Sequence, residues 1–252
     1  MTSPYDNFDY PSYWVGREYE HESEIIAIKS LLNKIPEIKK IAEIGCGYGR
    51  LTPSYSYRAK KSVLFDPSNR SLNEAKKRIS QNEINGNFEF VRSRLDSISK
   101  KYDRSFDVVL FIRVMHHMDE PNKVFKTLRR ILKPGGYLIM EFANKIHWKA
   151  LMGNFFKGNF TFPIDIFPTD KSTRKRKEAL PFLNYHPDVM LEEIKKHNFK
   201  ILEVRSVSNI RDPFIKRHVP LSTLLNIENF LQKPLAKIFF GPSIFVIAKK
   251  TV

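Results

Sequence analysis

The chain has 252 residues, 42% of them apolar and 13% aromatic, which suits an α/β domain with a sizeable core. Its one cysteine, Cys46, excludes a disulfide framework and any CxxC metal site, and fits a reducing, cytoplasmic setting. A formal charge of +16, from 43 basic and 27 acidic side chains, draws anions of every kind without choosing among RNA, anionic lipid and phosphorylated substrates.

Residues 1–15 are rich in Tyr, Pro, Asp and Trp and read as an irregular arm. Ser23 is placed to cap a helix running to about Lys34, with Ile25, Ile28, Leu31, Leu32 and Ile35 as its buried stripe. Just before it, Tyr13, Trp14, Arg17 and Tyr19 suit a cover for a core edge. An apolar run then reaches Glu43 and three glycines at alternating positions, Gly45, Gly47 and Gly49. Glycine takes positive φ at no steric cost, so the chain leaves a buried strand in a tight turn that frees its amides. A dinucleotide fingerprint requires GxGxxG, but the order here is GxGxG with an acid two residues before the first glycine. That acid suits a cationic ligand better than a phosphate. A second strand, residues 62–66, ends in Asp66, with Pro67 and Ser68 behind it. A carboxylate at that tip accepts both ribose hydroxyls of an adenosine, or else caps the helix expected over residues 72–80.

Residues 87–92 alternate as a third strand. Residues 106–114 are almost unbroken apolar, as in a central parallel strand buried on both faces. They run through Arg113 towards His116 and His117, near where ligands sit beyond the carboxyl ends of parallel strands. Adjacent histidines point apart and no carboxylate pattern accompanies them, so no metal site is expected. Asp119 or Glu120 opens a helix with Pro121 in its first turn and Val124, Phe125, Leu128, Ile131 and Leu132 inside. The LKPGG turn, residues 132–136, leads into a fifth strand over residues 137–142. Residues 144–184 lack a clean period and set Trp148 and several phenylalanines, Phe155, Phe156 and Phe160 among them, beside the basic run 171–177. Such a segment reads as a lid over an acceptor, as an RNA-stacking surface, or as a solvated helix pair. His186 opens a further helix, which it caps unless it faces an acceptor pocket, and Asn198 stops that helix before a strand over residues 199–206. An amphipathic helix carrying Leu221, Leu224, Leu225, Ile227 and Leu231 is expected to pack on the domain, with membrane contact as the alternative, and the last strand covers residues 243–249.

Four signals thus stand in order: GxGxG after Glu43, Asp66 at a strand end, FDVV with the HH loop, and LKPGG. Together they resemble the class I S-adenosylmethionine (SAM)-dependent methyltransferases, in the type 11 branch that includes ubiquinone/menaquinone-methyltransferase-like proteins. The resemblance implies an α/β fold: a Rossmann-like, seven-stranded, mostly parallel sheet with an antiparallel last strand and helices on both faces. It implies one domain over 1–252, with an N-terminal arm and helix (1–36) that closes over the cofactor and an inserted lid-like segment (144–184). SAM is the implied cofactor. Its methionine half would meet Glu43 and the loop Gly45-Cys46-Gly47, its ribose Asp66 beside Pro67, and its adenine Leu95. The family's acid at the adenine falls on Arg94 here, a departure that leaves Asp96 or the Leu95 backbone to make that contact. Arg113, His116 and His186 are the candidate catalytic residues near the acceptor, with Arg113 also within reach of the cofactor.

The expected acceptor is a small molecule or lipid-like. RNA is the alternative argued by charge. Against it stand the lack of a [DN]PP[YF] motif, of a cysteine outside the glycine loop and of an appended RNA-binding module. A third reading is a SAM- or nucleotide-binding protein without transferase activity. No basic-then-apolar leader and no run of about 18 apolar residues occurs, so no membrane span is expected and any membrane contact is peripheral.

Overall fold

The computed structural model describes residues 11–171 and 181–251. The strands are β1 (Ile38–Ile44), β2 (Ala59–Asp66), β3 (Phe88–Arg92), β4 (Phe106–Phe111), β5 (Leu132–Ala143), β6 (Thr169–Asp170), β7 (Leu183–Asn184), β8 (Phe199–Val207) and β9 (Ser243–Lys250). All but β6 and β7 form one sheet, ordered β3-β2-β1-β4-β5-β9-β8, in which β9 alone runs against its neighbours. β6 and β7 pair with each other as a small antiparallel ribbon. This is the expected Rossmann-like sheet with an antiparallel last strand.

Among the described residues the α-helices are α1 (Glu18–Leu32), which precedes β1, then α2 (Asn69–Gln81), α3 (Pro121–Ile131), α4 (Trp148–Phe155), α5 (Pro187–Lys196), α6 (Pro213–His218) and α7 (Leu221–Ala236). The alternation of strand side chains explains why both sheet faces need cover. In β4, Val109 and Phe111 join a core with α3 and α5, whereas Val108 and Leu110 join a second core with α1. Leu64 of β2 faces a third, smaller cluster with Leu72 and Ile79 of α2.

Several boundaries differ from expectation for local reasons. α1 starts before Ser23, whose buried hydroxyl donates to the Tyr19 carbonyl inside the helix and so caps nothing. The cap of α2 is Ser68, which accepts from the Ser71 amide, so Asp66 is not needed there. β4 ends at Phe111, because Arg113 takes φ +59 and turns the chain. β5 takes in the LKPGG segment: its pairing jumps from Phe106–Leu132 to Val108–Tyr137, so residues 133–136 bulge outward. The expected apolar stripe of α7 is only partly inside: Leu224 is buried, but Leu221 and Ile227 are exposed. Its buried face carries Glu228 and Gln232 instead. Glu228 accepts the Ser208 and Asn209 amides and the Tyr19 hydroxyl, and Gln232 donates to the Ser23 carbonyl, so polar bonds tie α7 to α1.

The segment 144–171 is ordered around α4 and a 3-10 turn over Phe162–Ile164. Of the basic run 171–177, only Lys171 lies among the described residues, as do only residues 11–15 of the arm. No helix among the described residues is long and apolar enough to cross a membrane.

Candidate functional site

A cavity of about 1010 Å³ opens beyond the carboxyl ends of β1, β2 and β4. The glycine loop forms its floor. The Gly45 and Cys46 amides both donate to the Phe65 carbonyl, at 2.8 and 3.0 Å, which pins the loop to the end of β2. Gly45 has φ +74, and a Cβ there would lie 2.4 Å from a Val114 methyl carbon. Gly47 has φ +54, and a Cβ there would meet nothing within 4 Å, so the missing side chain leaves ligand space at the cavity wall.

Asp66 stands at the tip of β2 and is buried. One carboxylate oxygen accepts the Gly47 amide at 2.9 Å and the other accepts the Ser68 amide at 2.8 Å. The same side chain therefore shapes the loop and borders the cavity, as does Pro67 behind it. Glu43 is buried at the end of β1 and accepts the hydroxyls of Tyr55 (2.6 Å) and Thr52 (3.1 Å). Burial pushes its carboxyl up to about 7, against the pull of those hydrogen bonds and of Arg50. Cys46 is buried beside them, its thiol pushed up by burial and by Asp66 and Glu43, so it is inert at neutral pH.

On the far wall, Leu95 is half-buried, while Arg94 and Asp96 are exposed and lie 3.5 Å apart. All three border the cavity. The cation that stands at the place of the expected acid is thus met by the acid two residues on.

Arg50 and Arg113 border the cavity, and the start of the chain packs behind them. Glu24 of α1 is fully buried between two guanidinium groups, accepting from Arg113 Nε and Nη2 at 2.7 Å and from Arg50 Nη2. Burial pushes its carboxyl up, but the two arginines outweigh this and hold it below the usual range. Trp14 of the arm lies over both cations, 3.6 Å from Arg50 and 4.8 Å from Arg113. Arg50 also donates to His21, whose imidazole is pushed down to about 4 by burial and by that cation. The Arg113 amide donates to buried Glu141 at 2.9 Å. Arg113 therefore borders the cavity with its guanidinium engaged by Glu24. A sequence signal existed: Glu24 stands four residues before Ile28 on the buried face of α1, where a carboxylate requires a partner.

The histidines are placed differently from expectation. His116 is buried against Phe182 and outside the cavity, because the 3-10 turn Met115–His117 turns it inward. Burial holds it well below the usual imidazole range. His117 borders the cavity instead, and its Nδ1 donates to the Pro181 carbonyl at 2.8 Å. His186 stands at the N-cap position of α5, but its side chain makes no capping hydrogen bond and does not reach the cavity. Its Nε2 donates to the Pro163 carbonyl at 2.9 Å, and Nδ1 lies 3.8 Å from Asp188. Among the described residues no group of three or more His, Cys, Asp or Glu side chains is placed to hold a metal.

A cavity at the strand ends, a glycine cradle and a strand-tip acid are what an adenosine-containing ligand requires. Residues 42–140 match the family described as "Methyltransferase domain". Residues 42–140 therefore carry a SAM-dependent methyltransferase domain. It is 23% identical over 218 residues to the tRNA 5-carboxymethoxyuridine methyltransferase of Escherichia coli K12, covering 85% of this chain and 81% of that one. It is 25% identical over 107 residues to the ubiquinone biosynthesis O-methyltransferase of Acinetobacter baylyi, covering 42% and 44%. A solved SAM-dependent methyltransferase from Thermotoga maritima, described as a possible histamine N-methyltransferase, shares the fold with a TM-score of 0.62 at 19% identity, covering 98% of each chain. Family and fold imply use of SAM. The methyltransferase cavity fits it: the open position at Gly47, the buried Asp66 carboxylate and the acid Glu43 suit a cationic nucleoside better than a pyrophosphate.

Proposed function

We propose that this methyltransferase acts on a small-molecule or lipid-like acceptor. The observation that carries the reading is that much of the cavity wall is apolar: Ile44, Leu95, Ile112, Val114, Met118 and Val124 border it. That wall is braced from behind: Pro181 holds His117, and the Tyr185 hydroxyl donates to the Met118 carbonyl. A cavity walled largely by apolar groups suits a lipophilic molecule. SAM supplies, when bound, a methyl group on a sulfonium centre. The chain's contribution is to hold the donor from both ends and the acceptor about 3 Å away in line. Glu43 and the glycine loop would hold the methionine half, Asp66 the ribose, and Leu95 the adenine.

Glu43 makes the donor site sensitive to pH. Its carboxyl is raised to about 7, so the folded protein loses stability as pH rises from the ordinary carboxylate value through about 7 and the buried group ionises. A cation beside it favours the ionised form. SAM affinity is therefore expected to rise as pH climbs through about 7, and Glu43→Gln to flatten that profile. Calorimetric titrations across the range measure both.

His117 is the histidine that a bound acceptor would meet. Its Nδ1 proton is committed to a carbonyl, so the neutral ring keeps its lone pair on Nε2. Burial holds the ring below the usual imidazole range and thus neutral at pH 7. For an acceptor that must lose a proton, His117→Ala is expected to lower the transfer rate about 100-fold while leaving SAM affinity unchanged. Loss of both together would reassign His117 to donor binding.

A second reading, an RNA acceptor, is favoured by the tRNA-modifying relative, whose likeness runs through most of this chain, and by the charge of +16. Isotopically labelled SAM separates the two. The enzyme is incubated with a lipid extract, a polar metabolite pool and bulk tRNA, and the label is followed by mass spectrometry. Label in the organic phase supports the first reading and label in tRNA the second. Label in neither, with SAM bound, would leave a binding protein without transfer.

A further inference from the structure

The lid carries a surface that methyl transfer does not use. Beyond the end of β5 the chain enters α4 and then a loop over residues 156–168. Phe156, Phe160, Ile164 and Phe167 are 78%, 68%, 76% and 74% exposed there, with Phe155 and Ile166 also outside. The rings are not scattered: Phe155 packs edge-on against Phe156 at 5.7 Å and against Phe160 at 5.5 Å. A clustered exposed apolar patch of this kind marks an interaction site. It is also held firmly. Lys145 is buried and donates to the Asp165 and Phe167 carbonyls at 2.6 and 2.8 Å, which straps the loop to the sheet. Trp148 stacks on Phe240 at 5.8 Å and anchors α4.

The segment that carries the patch is basic as well. Lys149, Lys157 and Lys171 are exposed along it, and Lys149 donates to the carbonyl of Arg211, which is also exposed. Three of these charges converge on His147, whose imidazole is pushed down to about 4 by burial and by Arg211, Lys171 and Lys149. The acid of the loop, Asp165, is paired with Lys145 at 2.7 Å.

We propose that this patch docks the protein on an anionic lipid bilayer, with the phenylalanines and isoleucines entering the interface and the segment's cations meeting lipid phosphates. Three features favour a bilayer over the other occupants. Two copies of a chain with charge +16 repel each other, whereas an anionic surface attracts each. Ile164 and Ile166 have no ring to stack on an RNA base, but both gain by leaving water for acyl chains. Exposed apolar groups and cations on one segment combine the two signals that stable peripheral binding requires. Docking would also turn the cavity end of the sheet towards the lipid, because α4 follows the carboxyl end of β5. The proposal goes beyond methyl transfer and stands without it.

The test is sedimentation of the full chain with phosphatidylcholine vesicles, with and without phosphatidylglycerol. Wild type is expected to partition about tenfold or more better onto the anionic vesicles, and to be released by salt near 1 M. Phe156→Asp combined with Phe160→Asp is expected to lower partitioning more than about tenfold. Lys149→Gln is expected to lower it about fivefold. Because these side chains point into solvent, melting temperature and SAM affinity should not change. Absence of binding by wild type, or equal binding by the double variant, overturns the proposal. So does a dimer, seen by light scattering, or a bulk-RNA gel shift that the double variant abolishes while vesicle binding persists.

Discussion

Asp66→Ala is expected to weaken SAM binding by at least about tenfold, equivalent to about 1.4 kcal/mol, and to lower stability as well. Two effects combine. The charge expected at the ribose hydroxyls is lost. The Gly47 and Ser68 amides, which donate to the two carboxylate oxygens, also lose their acceptor. A buried donor left unsatisfied costs about 1–3 kcal/mol. Gly47 holds positive φ without a side chain to brace it, so the loop relaxes where the ligand must sit. Asp66→Asn separates the two effects: its oxygen restores one amide bond without the charge. Calorimetric titration and thermal melting measure both variants, and an affinity unchanged in Asp66→Ala would take Asp66 out of the donor site.

Glu24→Ala is expected to cost about 3–5 kcal/mol of stability, since it removes the fully buried carboxylate that pairs buried Arg50 and half-buried Arg113. For a chain of this size that corresponds to a fall in melting temperature of roughly 10 °C. The sign of its pH dependence follows from the direction of the shift. The folded Glu24 carboxyl lies below the ordinary value, so its stabilisation is present above that value and is lost as pH falls through the folded one. The gap between wild type and variant should therefore narrow in acid. Arg50 and Arg113 both border the cavity, so SAM affinity should fall with the same substitution. A variant that melts with wild type at neutral pH would mean that the Trp14–Arg50–Arg113 stack holds without its carboxylate.

How far each feature could be read depended on the range of the forces behind it. α3 was legible almost to the residue, because Pro121 sets its start and Val124, Phe125, Leu128 and Ile131 recur at its own period. α7 was read with only part of its buried face. Its inner positions Glu228 and Gln232 answer backbone amides about twenty residues away and a helix near the other end of the chain, and no local period encodes that. The histidine pair shows the same limit at closer range. His116 and His117 are chemically identical in the sequence, and a single 3-10 turn sends one into the core and the other to the cavity.

The sequence by itself determined the sheet, its strands and the glycine and Asp66 positions at the cavity. These depend on side-chain alternation, on backbone angles open to glycine and on short spacings along the chain. Only the tertiary structure decided that Glu24 clamps Arg50 and Arg113 beneath Trp14, that His117 borders the cavity, and that the lid phenylalanines stay outside the core. Each of those outcomes is a competition between burial and charge pairing among residues distant in sequence, and it is resolved only when the helices have packed.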